Sequence, residues 1–507
     1  MGVLQRIAGA FVARAEPAPK QAHKFSTREL RALFDVAQDD PDNRKHWGQA
    51  DYLAADASLT ADVRNKLRSR SRYEIENNSF ARHIAHTTVQ LIVGTGPRLR
   101  VIDQDVTREQ AKLINRAWRR FDRRVNLTQL IWTARLAQLA SGEVLIYMAP
   151  ALDVSGTMSN LDLHLIEADQ LHAPATPGTD AVLTTESADQ TRNHDGVIVN
   201  RWGKPLRYQV APVHPGAEYT AVNSKHMELD ASRVVHLFRR ERPGQVRGIP
   251  ELTASLPLFA EIRRYGKAVR IAAEVAALHT TVMETDAPPD VMDEGQDDYE
   301  LDEIQLERGM ATFVPAGWKL RQLQAEQPTT MYDAFVQAVV CEAAAAVHLP
   351  RNLALLNSSS YNYASGKLDH QAFGRYCESE QRALNTQLLD RVLAMWWESA
   401  TESGELAGVG LPEPPEVRWD WDSITPGEPL KEAQAAQLRV ALGQSTRAEE
   451  AARAGKDFEE NMHQQASELA LARELGVPLE GVPMPAMSDD ADDQDGTQAT
   501  EGQTDDD

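Results

Sequence analysis

Apolar positions along this chain recur mostly at the spacing of an α-helix, and the departures are confined to its middle. Ser58 or Thr60 is placed to cap a helix running to Arg72, and Asn78-Ser79 to open a second. That second run, "NSFARHIAHTTVQLIVGTG", sets Phe80, Ile84, Thr87, Leu91 and Ile92 on one face, and Gly94, Gly96 and Pro97 stop it. Thr107 and Gln110 form a capping box for "TREQAKLINRAWRRFDRR", and another helix spans Leu127–Ser141. After Gly142 the period falls to two. "EVLIYMAP", "LDLHLI" (Leu161–Ile166), two short runs around Gly203 and Pro205, and "SRVVHLF" predict a β-rich module over Glu143–Phe238.

Helical spacing returns at Pro250 and continues for about 34 residues to Met283, on the order of 50 Å if unbroken, with Pro257 able to kink it or displace its start. Glu284–Arg308 then holds eleven acids against one Arg, and "MATFVPAGWKLRQL" predicts a short strand. A helix from about Thr330 to His348 leads into "LPRNLALLNSSSYNYASGKLDH", which carries no charge from Asn352 to Gly366. A long helix to about Glu398 follows, and a last pair is expected at Leu430–Ala441 and Ser445–Leu475. The predicted class is α+β, mainly helical.

At 507 residues the chain is too long for one compact core. Its longest apolar runs fall far short of the roughly 20 residues that span a bilayer, so no membrane role is predicted. Residues 1–24 have a broken apolar stretch and a single early base, Arg6, which reads as a loose arm and not a signal peptide. Two cysteines, Cys341 and Cys377, both in helical patterns, exclude a disulfide framework and suit a reducing compartment. The net charge of −22 disfavours a free-standing nucleic-acid binder. Nine of those charges sit in Ser488–Asp507, eight Asp and one Glu with no base, which reads as a disordered tail.

Catalytic signatures are absent. "VGTGPRL" follows a helix instead of a strand and has Leu99 in place of a third glycine. No phosphate-binding loop, HExxH, paired CxxC, SxxK or GxSxG occurs. The acidic Glu284–Asp302 stretch, which includes Asp293, Glu294, Asp297, Asp298 and Asp302, could bind a divalent cation, but it lacks the spacing and glycine of a calcium loop and a solvated acidic surface is favoured. The enzymatic alternative is a Mg²⁺-dependent DNA-processing activity using the acidic 284–303 cluster. Arg116, Arg119, Arg120, Arg123 and Arg124 spread around their helix and read as a solvated or intersubunit face, and His83/His86 as an exposed or packed helix face. No cofactor, metal or catalytic residue is expected.

Four segments, in order, resemble the lambda-type portal family of tailed bacteriophages. "RYEIENNSFARHIAHTTVQLIVGTGPRL" resembles that family's early helix and glycine turn. "HLFRRERPGQVRGIPELTASLPLFAEIRRYGKAVRIAAEVAA" resembles its strand, Arg-Pro-Gly loop and long helix entry. The Ser/Asn/Tyr stretch is similar to its tunnel loop, with Ala364 where Ser is usual. "WDWDSITPGEPLKEAQAAQLRVALGQSTRAEEAARAGKDFEE" resembles its C-terminal block. The blocks span most of 60–475.

The resemblance implies a portal fold assembling as a ring, dodecameric in the virion, at one capsid vertex. It implies an arm (1–24), a wing (25–245), a stem helix (246–283), a clip (284–329), a second stem helix (330–349) and a tunnel loop (350–363). A wing return with the long helix (364–425), crown helices (426–475) and the acidic tail (476–507) complete it. The implied role is a non-enzymatic head–tail connector through which double-stranded DNA is packaged and ejected without regard to sequence. Its implied partners are its own copies, the terminase large subunit, a head–tail adaptor and the major capsid or scaffold protein. Its place would be the virion, and the host cytoplasm during assembly; a portal of a gene-transfer particle or defective prophage fits the same pattern. The channel loop would be Asn357, Ser358, Ser359, Ser360, Tyr361, Asn362 and Tyr363. Arg263, Arg264, Lys267 and Arg270 would be the stem's basic positions, and the five acids above the clip surface. Each phosphate neutralised by Lys or Arg adds counterion-release affinity, so an acidic ring with few bases leaves DNA free to slide.

Overall fold

The computed structural model describes residues 41–48, 50–152, 158–174, 191–217, 225–277, 281–285, 318–322, 329–359, 362–422, 429–454, 456 and 458–475. The arm, the acidic tail and the clip acids Asp293, Glu294, Asp297, Asp298 and Asp302 lie outside these, as do Ser360 and Tyr361. After the short α1 (Pro41–Trp47), Thr60 caps α2 (Ala61–Asn77) and the Asn78 side chain caps α3 (Ser79–Val93), accepting from the Phe80 and Ala81 amides. The buried face of α3 is Ala81, Ile84, Ala85, Thr88, Val89, Ile92 and Val93, with Phe80, Thr87 and Leu91 at its margin. The stripe is turned from the expected one because α3 is packed on several sides, against α2, α5, α8 and α9, and small side chains let those helices approach.

β1 (Arg98–Val101) precedes α4 (Arg108–Val125), whose Thr107/Gln110 capping box forms as expected, and α5 (Leu127–Ser141) follows. β2 (Glu143–Leu152), β3 (Met158–Glu167), β4 (Arg192–His194), β5 (Val197–Val199), β6 (Pro205–Val210), β7 (Met227–Asp230) and β8 (Val234–Phe238) make up the expected β-rich module. They form two antiparallel sheets, ordered β3-β2-β8 and β4-β5-β6-β7. A small core of Leu145, Ile166, Val199, Tyr208, Val210 and Leu229 lies between them, apart from the main helical core.

The long stem helix is shorter than expected. α6 runs Leu256–Ala277, with Pro257 in its first turn, where a missing N–H costs nothing. Thr281–Met283, assigned from sequence to that helix, belong instead to β9 (Thr281–Thr285), which pairs with β10 (Trp318–Gln322). The β-branched run Thr280-Thr281-Val282 favours that state. α7 (Thr329–Ala345) packs along α6, with Tyr265 stacked on Tyr332 and edge-on to Phe335.

Two more helices differ from expectation. The long helix after the polar stretch is α9 (Tyr363–Leu384), a π-turn at Asn385–Leu389, and α10 (Asp390–Glu402). β11 (Val417–Asp420) pairs with β1, and the indoles of Trp419 and Trp421 donate to Asp390, just past the π-turn, and to Asn385, its first residue. α11 (Pro429–Ala441) is as expected, but the last helix is split into α12 (Arg447–Arg453) and α13 (Phe458–Leu475) at the Ala454-Gly455-Lys456 sequence, where glycine disfavours helix.

Candidate channel loop and its supports

The uncharged stretch is not loop throughout. Its first part folds as α8 (Arg351–Leu355), which starts after Pro350, and the described residues outside helix are Leu356–Ser359 and Asn362. His348 and Leu356 both take left-handed backbone conformations, φ 58° and 52°, which turn the chain sharply on each side of α8. Asn357, Ser358, Ser359 and Asn362 are exposed. The Asn357 side chain accepts from the Ser359 amide at 2.9 Å, and Asn362 accepts from the Ser365 amide at 2.8 Å to cap α9. Tyr363 is the first residue of α9.

Two histidines brace this corner. His83 Nε2 donates to the Leu353 carbonyl at 2.6 Å, leaving Nδ1 to accept from Thr87 at 3.2 Å. Asn352 Nδ2 donates to His370 Nε2 at 2.9 Å, tying α8 to α9. Sequence reasoning missed both of these bonds. His83 and Leu353 stand 270 positions apart, and a histidine on an amphipathic helix carries no sign of its partner.

Behind the corner lies a buried ion network. Arg135, fully buried on α5, grips Glu251 with both η-nitrogens at 2.8 and 2.9 Å and reaches Glu380 on α9 at 3.1 Å. Arg239 meets the same Glu380 at 2.6 Å. Burial pushes the Arg135 guanidinium down, but Glu251, Tyr376 and Glu380 outweigh it and keep it charged. Tyr376 sits among these groups and packs on His348 in the turn after α7. Burial, then Glu251, pushes its hydroxyl up to about 12. Burial and Glu380 likewise raise the Cys377 thiol to about 12, far from a reactive thiolate.

A second network centres on Glu143, the first residue of β2. It accepts from Arg247 Nη2 at 2.7 Å, His236 Nε2 at 3.0 Å and the Gly248 amide at 2.9 Å, and pairs with Arg68 of α2. Burial pushes this carboxyl up, but Arg247, Arg68 and His236 together hold it well below the usual carboxylate range. Gly142 and Gly248 permit the arrangement: a Cβ on Gly248 would stand 2.0 Å from the Gly142 carbonyl oxygen.

The stem bases do not behave as one set. Arg263 is half-committed inside its own subunit, 2.8 Å from Glu74 and 5.1 Å from the Tyr73 ring centre. Arg264, Lys267 and Arg270 are exposed. Helical spacing puts Arg263, Lys267 and Arg270 on one face and Arg264 about a quarter-turn away. Ser255, just before α6, donates to the Ala343 carbonyl near the end of α7, so the two helices run antiparallel. The bases therefore lie toward the start of α7, about 20 Å along it from the polar corner, and the two groups of residues are not brought together.

Among the described residues, Glu167, Asp169 and His214 place potential ligand atoms within 4.8 Å of one another. Arg72 already pairs with Asp169 and lies 3.6 Å from Glu167. His214 Nδ1 accepts the Gly216 amide at 3.0 Å, which leaves the proton on Nε2, 3.3 Å from Glu167. A protonated nitrogen facing arginine-neutralised carboxylates makes an ion-pair cluster and a poor cation site.

The fold and this corner define a mainly helical α+β protein in which two antiparallel helices, α6 and α7, lead into a small polar segment. The chain belongs to the family described as "Phage portal protein, lambda family", which matches residues 42–381. A similar relative is the "Probable portal protein" of Halomonas phage phiHAP-1, 26% identical over 518 residues and covering 94% of each chain. Similar solved structures include the neck of an empty GTA particle computed with C6 symmetry and the neck of a native GTA particle computed with C12 symmetry. Each is 14% identical over 76% of this chain, with a TM-score of 0.41, covering 93% and 92% of those chains.

Proposed function

We propose that the chain is the subunit of a non-enzymatic ring, dodecameric in the virion, set at one capsid vertex as the channel for packaging and ejecting double-stranded DNA. In this reading α6 and α7 form the stem, Leu356–Asn362 hangs into the channel, and α11–α13 form the crown. Residues 284–329, with Asp293, Glu294, Asp297, Asp298 and Asp302, form the clip that receives the terminase large subunit and later a head–tail adaptor. The wing meets the major capsid or scaffold protein.

The observation that carries the reading is the polar corner. Its described residues Asn357, Ser358, Ser359 and Asn362 are exposed and uncharged, and its root is held by His83 through Leu353 and by His370 through Asn352. Hydroxyls and amides bond phosphates transiently without the counterion-release affinity that lysine would add. A loop built this way touches DNA while letting it pass.

Negative-stain imaging of the purified chain is expected to give closed rings with an axial hole. Particles carrying a deletion of Asn357–Asn362 are expected to assemble but to package or retain less DNA. Uniform monomers at every protein concentration and salt, or unchanged packaging and retention in the deletion, would sink the reading.

A further inference from the structure

One pair of side chains outside the stem and loop is arranged for chemistry that the portal reading does not use. His172 follows the turn Ala168–Gln170, and His226 immediately precedes β7. Leu171 bridges Val210 and Val210 pairs with Met227, so the two histidines approach from opposite sides of β6. Their Nε2 atoms lie 3.1 Å apart, with ring centres 4.7 Å apart and planes at 86°.

Hydrogen bonding fixes the proton positions. His172 Nδ1 lies 3.2 Å from the Asp169 carbonyl oxygen, which can only accept, so Nδ1 carries the hydrogen. In the neutral ring, Nε2 is then a bare lone pair facing His226. An imidazole anchored by N–H···O=C at one nitrogen, with a lone pair at the other, is the arrangement that orients metal-binding histidines. Two Zn–N bonds of 2.0–2.1 Å at the tetrahedral angle set the nitrogens about 3.3 Å apart, close to the spacing here. Neither histidine is fully buried. Burial and the neighbouring His172 also hold the His226 imidazole below its ordinary value, favouring the neutral form that a metal needs.

We propose that His172 and His226 form a binding site for a borderline divalent transition-metal ion, Zn²⁺ first, with water completing the coordination. On binding, His226 moves its proton from Nε2 to Nδ1 through solvent, so two neutral imidazoles ligate and no net proton is released. The ion ties the turn after β3 to edge strand β7 and so braces the four-stranded sheet.

The test uses the full chain, stripped of metal with EDTA. Calorimetric titration with Zn²⁺ is expected to show saturable binding near one ion per subunit, lost in His172→Gln and in His226→Gln and kept in His214→Gln. Cu²⁺ in place of Zn²⁺ is expected to give an electron paramagnetic resonance spectrum with hyperfine coupling to two imidazole nitrogens, reduced in either single variant. Glutamine keeps a hydrogen-bonding side chain at each position, and circular dichroism of the metal-free variants checks that they fold. Absence of saturable binding by the wild-type chain, or equal stoichiometry and affinity in the folded His172→Gln and His226→Gln variants, overturns the proposal. Ring formation is read separately, so failure here leaves the portal reading untouched.

Discussion

Glu143 has no solvent contact, and its two oxygens are shared among Arg68, Arg247, His236 and the Gly248 amide. Replacing it with Gln would keep the shape and remove the nearest counter-charge of two buried guanidiniums, leaving Arg68 only Asp169 at 3.9 Å and Arg247 only Asp195 at 3.5 Å. Breaking a buried pair from one side costs about 3–5 kcal/mol, so Glu143→Gln is expected to lower the denaturant midpoint by that equivalent at unchanged m-value. The pH dependence has a definite sign. Because the folded carboxyl titrates below its ordinary 4.5, its contribution is fully present above that value and is lost as pH falls through the depressed one. The gap between wild type and variant should therefore stay constant from neutrality to about pH 5 and narrow only in stronger acid. None of this was legible in the sequence. Glu143 read as the opening of a strand, and its partner Arg68 lies 75 positions earlier on a helix whose own pattern gives no hint of ion pairing.

At the scale of elements, what could be read was what is local. Thr60, Asn78 and Thr107/Gln110 act as the caps their side chains suggested, and α5 has the expected limits, because a cap is decided within a few residues. The polar loop was visible as an uncharged gap between helices, whereas α8 inside it was not. A five-residue helix has no periodicity to detect and is held by the bond from α3 to the Leu353 carbonyl. The π-turn at Asn385–Leu389 escaped for a related reason, since the indole bonds at its first residue and just past its last come from Trp419 and Trp421, far along the chain. Asn362 offers a test within one element. Asn362→Ala removes the acceptor for the Ser365 amide and is expected to cost about 1 kcal/mol, with faster hydrogen exchange confined to the first turn of α9. Unchanged exchange there would mean that the cap contributes nothing to holding the loop's exit.

The whole molecule carries 75 acidic residues against 53 lysines and arginines, and a chain with that balance must either avoid DNA or touch it through a few placed bases. Arg264, Lys267 and Arg270 are the candidates on α6 once Arg263 is assigned to Glu74. Being exposed, they should be replaceable by Gln together with little effect on folding, each within about 0.5 kcal/mol. If they meet the phosphates of DNA in the channel, the triple Gln variant should bind short duplex DNA more weakly at low salt. The slope of log affinity against log salt should become shallower by about 0.9 for each phosphate that the ring no longer neutralises. A sequence-independent effect is required, because these side chains would reach phosphates and not base edges. An unchanged slope with fewer closed rings would assign the three bases to the interface between neighbouring subunits. The discriminating measurement is therefore the salt titration run beside ring counts on the same preparation, because only a DNA-facing base alters the first while leaving the second intact.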